Sequence, residues 1–133
     1  FKVEPVYTNK LLQNHHGNVL RVGDHVFGHS AGRGWVCQSF KEGTLLWEEK
    51  FKLGAGAVVY ADGRLYCYTE QDGTVALVEA SPEAWRESGR FKIPQQSVRR
   101  QPAGKLWTPP VIAAGKLFLR DQELLFCFDV KSR

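Results

Sequence analysis

Three stretches of this chain carry the same short pattern. Val22-Gly23-Asp24-His25-Val26-Phe27, Ala61-Asp62-Gly63-Arg64-Leu65-Tyr66 and Ala113-Ala114-Gly115-Lys116-Leu117-Phe118 each run from an apolar residue through a tight turn into polar, apolar and aromatic residues. Glycine supplies the positive φ that a two-residue turn demands, and the β-branched and aromatic residues on either side favour extended backbone, so each stretch predicts a β-hairpin. A third strand follows each hairpin at a matching distance: Trp35–Ser39, Val75–Glu79 and Leu125–Asp129. Fourth strands are expected from Leu45 to Phe51, after the Glu42-Gly43 turn, and from Gly89 to Ile93. Phe51 and Phe91 then sit alike, each twelve residues beyond the end of a third strand.

Four short antiparallel strands per repeat of about 40 residues is the arithmetic of a β-propeller blade, in which neighbouring sheets pack face to face. The continuous apolar runs Val58-Val59-Tyr60 and Val111-Ile112-Ala113-Ala114 suit strands covered on both sides. The expected fold is therefore all-β, a propeller segment of about three four-stranded blades. Residues 15–53 form one blade, 54–106 a second and 107–133 an incomplete third, while 1–14 hold a linker and, from Lys2 to Tyr7, the outer strand of a preceding blade.

The hairpins are not evenly spaced. Val26 to Leu65 is 39 residues and Leu65 to Leu117 is 52, so the second connection carries 13 more. The surplus lies from Pro94 to Leu106, a polar, basic stretch punctuated by Pro and Gly, which predicts a solvated and mobile surface loop. Ser81-Pro82-Glu83-Ala84-Trp85-Arg86-Glu87 has a capping serine, a proline at the first position and an early acid, which predicts one helical turn before the fourth strand.

Composition narrows the function classes. Of 133 residues, 43% are hydrophobic and 24% charged, enough for a core. The longest uncharged apolar run falls far short of a membrane-spanning helix. A formal net charge of +4 comes from scattered basic residues, a distribution that does not point to specific nucleic-acid binding. The chain opens on Phe1 and contains no methionine, and is expected to be a piece of a longer protein. Cys37, Cys67 and Cys127 are odd in number and widely spaced, unlike a zinc site. Cys37 and Cys127 share one repeat position, which predicts small side chains packed between sheets.

Cys37-Gln38-Ser39-Phe40-Lys41-Glu42-Gly43-Thr44-Leu45-Leu46-Trp47 resembles the tryptophan-docking repeat of quinoprotein alcohol dehydrogenase-like (PQQ-like) β-propellers, where a small residue, an acid, a glycine and a terminal tryptophan recur. Gly43 and Trp47 match, while Ser39 stands in place of the acid; the third repeat keeps that acid as Asp129. The physical role implied is structural, with Gly43 turning the chain and Trp47 stapling one blade to the next. The resemblance covers Asn18 to Asp129 and is closest to bacterial repeat proteins, some labelled polyvinyl-alcohol dehydrogenase. It implies a ring of seven or eight blades, an extracytoplasmic location (periplasmic or secreted), and remaining blades or a second copy as partner. The function implied is a propeller module that binds a ligand or protein at the channel mouth or blade edges. The alternative is an alcohol dehydrogenase using pyrroloquinoline quinone with calcium (Ca2+), and the third is a carbohydrate-binding or hydrolytic propeller. No Glu-Asn-Asp cluster suited to that calcium is found in the sequence.

In a propeller the ligand site lies where loops lead into the innermost strands. Here those loops are Gln13–Gly17, Lys52–Gly56 and Leu106–Pro110. They offer His15 and His16, which point oppositely if extended, and Trp107, whose ring suits stacking on a flat ligand. Arg120 is expected either to bind an anion in the channel or to pair with Asp121 or Glu123. His25 matches Arg64 and Lys116 and is expected to be exposed. No metal site is expected.

Overall fold

The computed structural model describes residues 1–131. They form eleven strands and no helix, and no helix is long and apolar enough to cross a membrane. The strands are β1 (Val19–Val22), β2 (His25–Ser30), β3 (Gly34–Ser39), β4 (Leu45–Glu49), β5 (Gly56–Ala61), β6 (Arg64–Thr69), β7 (Thr74–Glu79), β8 (Glu87–Lys92), β9 (Val111–Ala113), β10 (Lys116–Asp121) and β11 (Leu124–Asp129). They make three antiparallel sheets, β1–β4, β5–β8 and β9–β11, each ordered as the chain runs.

Local chemistry repeats from sheet to sheet. The first hairpin of each sheet turns through two residues, Gly23-Asp24, Asp62-Gly63 or Ala114-Gly115. The first residue past each third strand then donates its N–H to the carbonyl of the turn: Phe40 to Asp24 at 2.9 Å, Ala80 to Gly63 at 3.0 Å and Val130 to Gly115 at 3.0 Å. The first two sheets also share a bulge, between Cys37 and Gln38 and between Leu77 and Val78, at the same place in the repeat. Ala114 adopts φ 50 where the other repeats place glycine or aspartate, a region that a side chain with Cβ enters at a cost.

Packing joins the sheets in sequence order. Phe27, Trp35, Cys37 and Trp47 of the first sheet meet Val58, Leu65, Cys67, Ala76 and Val78 of the second. The other face of the second sheet, with Tyr66, Tyr68 and Val75, meets Leu117 and Leu119 of the third. Successive sheets approach most closely through their first strands, β1 beside β5 and β5 beside β9. Among the described residues the outer strands make no comparable approach, so the stack fans outward from β1, β5 and β9.

Large side chains fill the wide end of the fan. Trp47 reaches across from β4 and donates Nε1–H to the carbonyl of Ser81 at 2.9 Å, and its ring meets Trp85 edge-on at 6.2 Å. Gly43 makes the preceding turn at φ 67. Ser39 hydrogen-bonds the Glu42 carboxylate, so this turn holds its acid at position 42 rather than 39.

The structure corrects several expectations. Lys2–Tyr7 is not a strand; the backbone of residues 1–14 is irregular, and its later part is tied down where Asn9 Nδ2 donates to Gly43 O at 2.8 Å and Gln13 N to Ser30 Oγ at 2.9 Å. Ser81–Glu87 is not a helical turn, because Trp85 is drawn into the core and β8 begins at Glu87, leaving too few residues for helical hydrogen bonds. Phe51 and Phe91 do not correspond. The connection into β8 is two residues longer than that into β4, so Gly89 stands opposite Leu77 where Trp47 stands opposite Cys37. Phe51 is left exposed beyond β4, whereas Phe91 packs on Phe128. Cys37 and Cys67 are buried and Cys127 is exposed, since no sheet covers that face of β11; all three thiols are unbridged. Burial pushes the Cys37 thiol up to about 12 and holds the Cys67 thiol well above its ordinary range.

Two substitutions test this account by denaturant unfolding. Trp47→Ala empties the wedge between two sheets and is expected to cost about 3–5 kcal/mol, against a few tenths for Phe51→Ala on the surface. Ala114→Gly removes a strained φ and is expected to stabilise the protein by about 0.5–1 kcal/mol.

Candidate functional site

The loops entering β1, β5 and β9 meet at one end of the stack, because the first strands they lead into lie side by side. Contact there is close: a Cβ on Gly17 would fall 2.2 Å from the carbonyl oxygen of Gly56, so only glycine lets these two loops touch. Asn18 fixes their register, donating Nδ2–H to Val58 O and accepting from Val58 N, both at 2.8 Å.

His16 lies flat on Trp107, with ring centroids 3.9 Å apart and planes 30° apart. His15 meets His16 edge-on at 3.8 Å. The two histidines thus touch instead of pointing to opposite sides, as residues 15 and 16 form a bend and not a strand. The indole N–H of Trp107 donates to Glu70 Oε2 at 3.1 Å, which sets the ring's orientation. Trp107 is half exposed, and both histidines are exposed. The result is an open aromatic platform, with the cavity behind it no larger than about 10 Å³ and walled by Asn14, His15, His16, His29 and Glu70 among others. That volume suits at most a single water. A ligand would therefore lie on the platform, not in a pocket.

Glu70 was not singled out from the sequence, and His29 stood out there only as one of four histidines, with His15, His16 and His25, within 15 residues. His29 sits on β2 with its ring edge-on to Trp35 at 5.5 Å. Burial lowers its pKa, and the Glu70 carboxylate opposes that shift. A histidine inside an alternating strand pattern reads as any other strand residue, and the approach of Glu70, in the turn just after β6, gives it a charged neighbour. His25 is half-buried instead of exposed, being the first residue of β2 with its ring towards Phe27.

Arg120 stands apart from the platform. It is exposed on the uncovered face of the third sheet, and its Nε donates to Gln122 O at 2.8 Å within its own hairpin. It pairs with neither expected acid. Asp121 is fully buried and takes Arg100 at 3.4 Å and the Ser97 N–H at 2.8 Å, while Glu123 accepts from Ser97 Oγ at 2.6 Å. These bonds anchor the Pro94–Leu106 stretch, which is mostly exposed and without a strand as expected, at a few points: Ser97 and Leu106 are buried, and the Arg100 side chain is 5% exposed.

Among the described residues no three His, Cys, Asp or Glu side chains are placed to hold a metal ion. Comparison with protein families finds no match, and comparison with curated protein sequences finds none either.

The lowered His29 pKa gives a signed prediction. The neutral imidazole is favoured in the folded state, so its contribution is present above the unfolded value of about 6.5 and is lost as pH falls through the lower folded value. Stability measured by urea unfolding is expected to decline over that acid window, and His29→Gln is expected to flatten the decline.

Proposed function

We propose that this chain is a segment of a quinoprotein-like β-propeller, comprising two four-stranded blades and a third of three strands, and that it recognises a ring-shaped ligand or a partner's flat side chain on the platform of His15, His16 and Trp107. The observation that carries the reading is the meeting of three repeat-equivalent loops, with His16 stacked on Trp107 at 3.9 Å. Support for the propeller comes from the fan of sheets about their first strands, the shared turn hydrogen bond and the shared bulge. Tryptophan beside histidine offers a broad apolar face with polar edges, and an aromatic contact of this kind contributes roughly 0.5–1.5 kcal/mol beyond the area it buries. Glu70 and Asn14 at the rim add acceptors and a donor for hydroxyl or amide groups.

Binding is the reading favoured over catalysis. The platform is open to water, and the carboxylate beside it, Glu70, is already engaged by the Trp107 N–H. General acid or base catalysis calls for a group placed against the proton it moves.

Tryptophan fluorescence discriminates well here, because Trp35, Trp47 and Trp85 are buried while Trp107 is half exposed. Titration with pyrroloquinoline quinone and with a panel of neutral oligosaccharides is expected to give saturable quenching for one of them, lost in Trp107→Ala and weakened about tenfold in His16→Ala, a change of about 1.4 kcal/mol. Quenching that survives Trp107→Ala, or no response to any probe, would remove the platform as a binding site. Alcohol oxidation with quinone and calcium present would establish the dehydrogenase instead.

A further inference from the structure

The residues that lengthen the second connection, Pro94–Leu106, take no part in the core of either neighbouring blade except at Leu106, yet they fold into a wall of their own. Ser97 shapes a first turn: its Oγ accepts from Arg99 N at 3.0 Å and its carbonyl from Arg100 N at 3.3 Å. A second turn follows, in which Gly104 N donates to Gln101 O at 2.7 Å. A Cβ on Gly104 would fall 2.9 Å from that same oxygen, so glycine here lets the stretch fold back on itself. With Gln71 from the turn between β6 and β7, these residues line a cavity of about 250 Å³, its walls including Gln96, Ser97, Arg100, Gln101 and Lys105. At about 30 Å³ per water this is room for roughly eight waters, where the cavity behind the platform has room for one.

The charge in this cavity has one sign. Pro94–Leu106 contains Arg99, Arg100 and Lys105 and no acidic residue, and among the described residues no carboxylate lines the cavity. The acids nearby are engaged elsewhere: Glu70 by the Trp107 N–H, Asp72 by Lys92 at 3.0 Å, Glu123 by Ser97 Oγ at 2.6 Å and Asp121 by Arg100 at 3.4 Å. Lys105 pairs with none of them, its ammonium meeting only the neutral amide oxygen of Gln71. Arg100 donates Nη1–H to Gln71 O at 3.1 Å, but its buried Nη2 has no hydrogen-bond acceptor. A buried charged donor left without an acceptor costs free energy that an incoming acceptor recovers.

The cavity and the aromatic platform share a wall. Gln71 directly follows Glu70, and Trp107 lies two residues beyond Lys105, at most about 7 Å of chain. The two short stretches are bonded together, Leu106 N to Glu70 O at 2.7 Å, Trp107 Nε1 to Glu70 Oε2 at 3.1 Å and Lys105 to the Gln71 side chain. A ring resting at Trp107 thus brings a substituent on one edge within reach of Lys105.

We propose that the platform and this cavity form one extended site for an acidic sugar. The ring lies against Trp107, and its oxyanion, a phosphate or a carboxylate, enters the cavity and is held by Lys105 and by Nη2 of Arg100 through charge-assisted hydrogen bonds. The side-chain amides of Gln71, Gln96 and Gln101 both donate and accept, which suits the ring's hydroxyl groups. The assignment rests on the platform reading above and adds to it the class of ligand.

Calorimetric titration of the full chain with glucose, glucose 6-phosphate, glucuronate and inorganic phosphate tests it. One of the acidic sugars is expected to bind at least tenfold more tightly than glucose, the tighter of the two identifying the oxyanion as phosphate or carboxylate, and added salt is expected to narrow the margin. Lys105→Gln is expected to erase the margin while leaving the affinity for glucose and the thermal midpoint unchanged. Trp107→Ala is expected to weaken all three sugars alike. Equal affinity for glucose and both acidic sugars, or a margin that survives Lys105→Gln, overturns the oxyanion site and leaves the platform standing. Acidic-sugar binding that Trp107→Ala does not alter, or inorganic phosphate bound as tightly as glucose 6-phosphate, instead removes the platform from the site. Absence of binding by all four probes overturns both.

Discussion

Everything in this molecule depends on burying both faces of the second sheet at once. Its strands carry Leu65, Cys67, Ala76 and Val78 on one side and Tyr66, Tyr68 and Val75 on the other, and each set is buried only because a neighbouring sheet lies over it. A four-stranded sheet of this composition alone in water would expose one of these faces whichever way it turned. At about 25 cal/mol per Å² of apolar surface, stacking is the term that holds three short sheets together, and the hydrogen bonds within each sheet decide only which residues face which neighbour.

The fan follows from that stacking. Sheets that meet at their first strands and spread outward leave a wedge, and Trp35, Trp47 and Trp85 fill the wedge between the first and second sheets. Drawing the first strands together also brings their entry loops to one end, and this alone makes neighbours of His16 and Trp107, which lie far apart in sequence. The platform is thus a consequence of how the core is packed. Its open form, with so little volume behind it, suits recognition on a surface better than chemistry in an enclosed pocket.

The hairpins were legible because tight turns have local requirements: a glycine at positive φ between β-forming residues marks a turn wherever it occurs. The three loops of the platform were legible for the same reason, since a repeat implies equivalent entry points. Other features had no local signature. Cys37 and Cys127 occupy one repeat position, yet one is buried and the other exposed, because only one has a sheet laid over it. The alignment of Phe51 with Phe91 failed on a connection two residues longer, which moved Gly89 into the place of Trp47. The Ser81–Glu87 stretch carries good capping chemistry and still makes no helix, because the burial of Trp85 outweighs one turn's worth of local hydrogen bonds. Arg100 in a basic, polar stretch reads as solvated; its pairing with Asp121 depends on where the third sheet sits.

The sequence by itself determined that this chain is all-β, where its hairpins turn and which residues of each strand are apolar, because turn geometry and strand alternation are set by neighbours a few residues away. Only the tertiary structure decided which apolar faces are covered, that His29 and Glu70 join the platform, and that Arg120 stands apart from it. Those outcomes depend on contacts between residues dozens of positions apart, whose free energy appears only once the sheets have stacked.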